Sequence, residues 1–279
     1  MKIYGASLLI FFFLFPAFSV AEVIFSDDFN AVTDGWNCLN PTPAGWTGQS
    51  ACEGPNVYDG QTHYAYEISS GGRSGNSLKI WTHGNFPNDR TFSVLDYSFA
   101  VNTYRELYTR WYMKIPSDFD TTGALNYLKF WRYNHGTDTT YFNWEAGTTI
   151  SADGLFQVAP SAYDAWHTVL NHADIPRDGQ WHCHELRIKL NSTGNTDGIL
   201  QYWLDGVLKT NETNVNYHAV DTDYFKNTGV GIGNRGETTG FQTPWRAVEF
   251  DDFVVSTTYI GPAKDATPPS PPHGVKIVE

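Results

Sequence analysis

Four residues spaced two apart, Tyr108, Arg110, Tyr112 and Lys114, put phenols and cations on one side of any extended segment that carries them. A second alternating set follows, Tyr127, Lys129, Trp131 and Tyr133, and a third, Cys183, Glu185, Arg187 and Lys189, adds further cations. Aromatic faces stack on the C–H faces of sugar rings, while Arg, Lys and Tyr hydrogen-bond to hydroxyls and carboxylates. Two neighbouring strands carrying the first two sets present one aromatic, basic surface suited to an acidic saccharide. The competing reading is structural: the same rings serve as cross-strand pairs or pack beneath a covering loop.

The opposite parity is apolar. Leu107, Thr109, Trp111, Met113 and Ile115 share one face, as do Leu128 and Phe130, and Leu186, Ile188 and Leu190. His182 and His184 share the leucine parity, so unless a bulge intervenes they point inward or to the sandwich edge. Short alternating segments recur at 23–29, 77–82, 91–99, 105–115, 127–134, 140–146, 166–170, 181–191, 199–208, 230–234 and 248–256. Turn residues separate them, and a long loop reaches from the first strand to about residue 75. No apolar period of 3.6 residues persists, so the expected fold is an all-β, two-sheet antiparallel sandwich. Composition agrees: of 279 residues, 16% are aromatic and two are Met, which favours strands filled by flat rings over a helical bundle.

Lys2, the apolar run 8–15 and the small-residue ending Ser19-Val20-Ala21 read as a secretory signal peptide over 1–21, giving a secreted or periplasmic product. The domain is expected over 22–262, followed by a Pro-rich tail at 263–279. No later apolar run is long enough to span a membrane, and a monomer is expected. With the leader set aside the formal charge is about −13, a surface that repels nucleic acid and anionic lipid and makes the clustered cations a local anion site. Cys38 and Cys52 are expected to close a disulfide across a Gly-, Pro- and Asn-rich loop, leaving Cys183 as a small buried hydrophobe.

The opening Phe25-Ser26-Asp27-Asp28-Phe29, the strand from Leu107 to Pro116 and the run from Asp178 to Asn191 point further, as do Gln201-Tyr202-Trp203-Leu204-Asp205-Gly206 and Phe250-Asp251-Asp252-Phe253-Val254-Val255-Ser256. Together they resemble the concanavalin A-like jelly-roll group that contains alginate lyase, glucuronan lyase and heparin lyase I. The resemblance implies a concave substrate groove, cleavage of a uronic-acid polymer by β-elimination, and no cofactor for the chemistry. The Glu-x-Asp-x-x-Glu strand of glucanases on the same sandwich is absent.

Under that resemblance Arg110 and Lys129 are the candidate neutralisers of the uronate, with Asn234 and Arg235 behind them. Tyr112 or Tyr133 is the candidate acid, or both acid and base where a neighbouring Lys depresses its pKa, and His167 is the candidate base, with His135 and His172 as alternatives. Tyr108, Lys114, Tyr127, Trp131, Arg187 and Lys189 would line the groove. The acid pairs Asp27-Asp28 and Asp251-Asp252 admit two readings: a structural calcium ion pinning the first and last strands, or turn caps facing solvent. Two rival functions are open to the same fold. A lectin-like module would hold polysaccharide on the aromatic floor without cutting it, and a glycoside hydrolase would pair Glu145 with Glu185 or Glu249.

Overall fold

The alternation becomes two stacked sheets in a computed structural model, which describes residues 22–49, 56–58, 60–82, 93–119, 127–147, 151–160, 166–235 and 246–263. In chain order the strands are β1 (Val23–Asp27), β2 (Gly48–Gln49), β3 (Asn56–Tyr58), β4 (Gln61–His63), β5 (Tyr66–Ser70), β6 (Asn76–Thr82), β7 (Ser93–Ser98), β8 (Glu106–Lys114) and β9 (Tyr127–His135). They continue as β10 (Asp138–Gly147), β11 (Ser151–Ala159), β12 (His167–Asn171), β13 (Trp181–Lys189), β14 (Gly198–Leu204), β15 (Val207–Val215), β16 (Phe225–Arg235) and β17 (Arg246–Ser256). One sheet of eight strands runs β15-β14-β13-β8-β17-β6-β5, with β1 paired to β17. The other, of seven, runs β12-β11-β10-β9-β16-β7-β2. Every strand pairing among the described residues is antiparallel, as in an all-β jelly roll. No helix among the described residues is long and apolar enough to cross a membrane.

The core lies between the sheets and is built from rings. Trp111 of β8 is sandwiched across it, stacked on Trp131 of β9 at 5.7 Å and on His184 of β13 at 5.6 Å. Leu107, Thr109, Met113, Leu186 and Ile188 are buried on this inner side, as their parity predicts. His184 is fully buried with Nδ1 2.8 Å from the Tyr202 hydroxyl, and burial holds its pKa down at about 3, so it stays neutral. Removing the Trp111 ring is expected to cost about 3–5 kcal/mol, the usual range for a large aromatic lost from a packed core.

Six strands went unread in the sequence, among them β2, β3 and β4, which lie inside the expected loop. β5, inside the expected loop, alternates buried Tyr66 and Ile68 with more exposed neighbours and pairs with β6. β11 was missed, and 199–208 splits into β14 and the start of β15 around an Asp205-Gly206 turn whose φ values, +51° and +78°, are those of a two-residue hairpin loop. β15 escapes an alternation test because it is a mostly exposed edge strand.

Past the last strand, residues 257–263 cross the outer side of the eight-stranded sheet as a strap. The Glu185 carboxylate, 1% exposed, accepts the backbone N–H groups of Ile260 and Gly261, both at 2.8 Å. The Tyr112 hydroxyl accepts the N–H of Ala263, which ties down the first residue expected in the tail. At the edge of the same sheet Thr257 N–H donates to the Glu22 carbonyl, so the two ends of the sandwich lie side by side. Residues 1–21 and 264–279, with the expected leader and most of the tail, are outside the described residues, as is Cys52; Cys183 is free and buried.

Candidate functional site

The two aromatic and basic rows do not share a surface. β8 belongs to the eight-stranded sheet and β9 to the seven-stranded one, so the outward side chains of each face away from the other. Sequence distance between the two strands says nothing about sheet membership, which is a long-range choice.

On β9 the expected parity is also reversed part-way. Phe142 of β10 pairs with Trp131, but the next residue, Asn143, pairs with Lys129, so Phe130 and Trp131 form a bulge and both turn inward. Trp131 is 3% exposed against Phe253 at 4.7 Å, and Tyr133 is fully buried with its hydroxyl bonded to that of Thr109. Neither Trp131 nor Tyr133 reaches solvent, which removes them from substrate contact; burial also pushes the Tyr133 phenol well above its ordinary pKa.

The β8 row keeps its predicted side but is occupied. Arg187 is bonded to Glu106 and Gln201, with its guanidinium over the Tyr108 ring, and Lys114 pairs with Glu249 at 2.8 Å. Tyr112 is 6% exposed under the strap, beneath the Arg73 guanidinium, and its pKa is raised by burial. This side therefore offers no open trough along Tyr108, Arg110 and Tyr112. Lys189 alone of the row is exposed.

The remaining expected residues scatter. His167 sits where the sheet edges β12 and β15 meet, with Nδ1 2.5 Å from the Glu212 carboxylate, closing the sandwich and not facing a groove. His135 is buried against Phe225, with burial lowering its pKa, and His172 opens a short 3-10 turn. Glu185 is spent on the strap and Glu249 on Lys114, and Glu145 lies on the other sheet, so the hydrolase pairs do not form.

The paired acids are anchors. Asp251 accepts the N–H groups of Arg73 and Asp252, Asp252 pairs with the Arg73 guanidinium, and Asp27 accepts from Phe29 and from the Trp46 indole. Asp28 accepts the N–H of Asn30. Among the described residues no group of three or more His, Cys, Asp or Glu is placed to hold a metal ion. Donors already aimed at Asp251, and a guanidinium on Asp252, do not fit the all-oxygen shell that calcium takes.

What the structure does assemble is a polar outer face on the seven-stranded sheet. Arg132 follows the bulge and points outward; its Nε and Nη2 grip the Asp96 carboxylate at 3.3 and 2.5 Å. Beside it the Asn134 amide donates to Asn227 and accepts from Thr139. Gln157 is only 6% exposed, donates to Thr168 and keeps its carbonyl oxygen unpartnered. Register adds the candidates whose side chains lie outside the described residues: Lys129 opposite Asn143 and Gly233, Tyr127 opposite Arg235, Leu128 opposite Asn234, and Tyr141 opposite Arg132. Gly229 and Gly231, alternate residues of β16, bring bare backbone to the same strip. Sequence reasoning missed Arg132, Asp96, Asn134 and Gln157. The signal that could have found Arg132 was its sequence neighbours: Phe130-Trp131 is too apolar a pair for strict alternation.

No protein-family model and no curated protein matches the chain. Among solved structures, the endo-β-1,4-glucuronan lyase of the fungus Trichoderma reesei is similar with a TM-score of 0.57 at 15% identity, covering 85% of this chain and 96% of that one. A marine alginate lyase from Aplysia kurodai gives 0.57 at 10% identity, covering 84% of this chain and 99% of that one. The chain shares the jelly-roll fold of polysaccharide lyases. A cellulose-induced protein has the same jelly roll, with a TM-score of 0.50 at 16% identity over 86% of this chain and all of that one. At these identities the likeness speaks for the jelly roll and not for its chemistry.

Proposed function

We propose that this chain is an exported polysaccharide lyase that cleaves a uronic-acid polymer by β-elimination on the outer face of the seven-stranded sheet. The observation that carries the reading is Arg132, a half-buried guanidinium held in fixed orientation by Asp96 on the sheet face that also carries the amides of Asn134 and Gln157. With Nε and Nη2 on Asp96, Nη1 is left to meet a substrate carboxylate. The fold shared with lyases named for glucuronan and alginate supports the substrate class, and the leader-like residues 1–21 support export.

In the reaction a base takes the C5 proton, the electron pair forms the C4=C5 double bond, and the C4–O4 bond breaks as an acid protonates the departing oxygen. Neutralising the uronate stabilises the charge that develops on it as C5 loses its proton, so a preorganised cation lowers that barrier. Arg132 takes this role. Lys129 and Tyr141, which register brings to the same strip, are the residues proposed to move the two protons. Arg110, Tyr112, Tyr133 and His167 have no part in it.

The test is to offer the mature protein alginate, glucuronan, ulvan, pectate and glycosaminoglycans, and to follow the ultraviolet absorbance of the unsaturated product. At least one polymer should yield that product, and Arg132→Ala should lower the rate by about a hundredfold or more. Reducing ends without the absorbance would assign a hydrolase; retained binding without cleavage would assign a lectin-like module.

A further inference from the structure

Arg110 differs from the other cations of the outer eight-stranded face. Arg73, Lys114 and Arg187 each have a carboxylate partner, whereas Arg110 has no ion pair among the described residues. Its single hydrogen bond runs from Nη1 to the Gly261 carbonyl at 3.2 Å, and its Nε has none. Glu185 lies opposite in register, but both of its oxygens are taken by the strap. A guanidinium offers five N–H donors in a planar fork, so most of this one is unspent.

The side chain lines a cavity of about 470 Å³, a size typical of small-molecule sites, where β1 rides on β17. Ser26, Val254 and Arg110 form one cross-strand row along it. Val254 supplies apolar wall, since the Phe25 ring turns to the core against Tyr97 and Trp46, and Asp28 and Asp252 supply acceptors; Asp27, also on the lining, is already bonded to the Trp46 indole. Asp252 is already neutralised by Arg73, while Asp28 accepts only the N–H of Asn30 and faces no cation among the described residues.

We infer that this cavity binds a monomeric sugar acid, its carboxylate on Arg110, its hydroxyls donating to Asp28 and Asp252, and its C–H face against Val254. The charge pattern sets the ligand class. One unpaired cation accepts one negative charge, and the surrounding carboxylates repel a second, which disfavours phosphate and the polymer. Hydroxyl donors satisfy those carboxylates, which a simple carboxylic acid could not do. The inference is independent of the lyase reading, since no bond is made or broken and the site lies on the other sheet.

Titration calorimetry of the full chain with sodium glucuronate, glucose and inorganic phosphate tests it. Glucuronate should bind saturably, with glucose and phosphate about tenfold weaker or worse. Arg110→Gln should weaken glucuronate by about tenfold or more, the loss of one charge-assisted contact, and so should Ala44→Leu, which fills the exposed rim without touching a charge. Lys189→Gln, which removes an exposed cation of the same sheet that does not line the cavity, should bind glucuronate unchanged. Absence of saturable binding, equal binding by Ala44→Leu, or loss in Lys189→Gln would each overturn the inference. Ala44→Leu decides if Arg110→Gln melts early. Polymer cleavage without glucuronate binding sinks this site alone, and the converse sinks only the lyase reading.

Discussion

Arg132 and Arg110 show that a guanidinium's use is decided by what already holds it. Asp96 fixes Arg132 through two bonds, so Asp96→Asn should loosen the orientation while leaving the cation in place. The expected result is a rise in KM and a fall in kcat on the polymer, with the Asp96→Asn, Arg132→Ala double variant no worse than Arg132→Ala; a merely structural Asp96 would shift the melting temperature alone. His184 carries a second residue-scale prediction. The unfolded chain takes up its proton near pH 6.5 and the folded chain only near 3, so His184 makes stability rise with pH across that window. Asp251, raised by burial to about 6, does the reverse: the folded state keeps its proton longer, and stability falls as pH climbs from about 4 to 6. Denaturant unfolding of His184→Leu between pH 4 and 6 should therefore show stability falling with rising pH, against a flatter profile in the parent. At this scale the sequence was legible on β8 and β13, where Leu107, Trp111, Leu186 and Ile188 are buried as alternation demands. It misled at Trp131 and Tyr133, because one bulge moves every later residue of β9 to the other face.

Among elements, the Asp205-Gly206 turn and the strap depend on each other. Gly206 has φ +78°, and a Cβ there would sit 3.0 Å from Pro262 of the strap. Gly206→Ala should destabilise by about 1–2 kcal/mol, from strain in the turn and from lifting the strap, measured by urea unfolding. Turns announced by Asp-Gly are readable in principle; here the flanking apolar residues Leu204, Val207 and Leu208 hid the break. β5 and β15 were hard for the opposite reason, one set within a loop-like composition and the other almost wholly exposed. The strap itself has no sequence signature, since its order comes from Glu185 and Tyr112 on distant strands.

For the molecule as a whole, the two-sheet class followed from periodicity, while the assignment of strands to sheets did not, because β8 and β9 are consecutive candidates separated only by the topology. Net charge gives a prediction at the same scale. At a formal −12, the chain repels a polyuronate at long range even though Arg132 attracts it locally. Raising ionic strength from about 10 to 150 mM shortens the screening length from about 30 to 8 Å, so KM for the polymer should fall over that range. A steady rise in KM would instead mean that the basic strip dominates the far field.

The neighbouring positions of Glu22 and Thr257 set how the sandwich responds to a mechanical load. Tension applied between them opens β1 from β17 at the adjacent ends, so the ladder from Val23–Ser256 to Asp27–Phe253 peels one bond after another and is not sheared all at once. A tethered copy would yield first at that edge, while the sheet holding Arg132 stays outside the line of force.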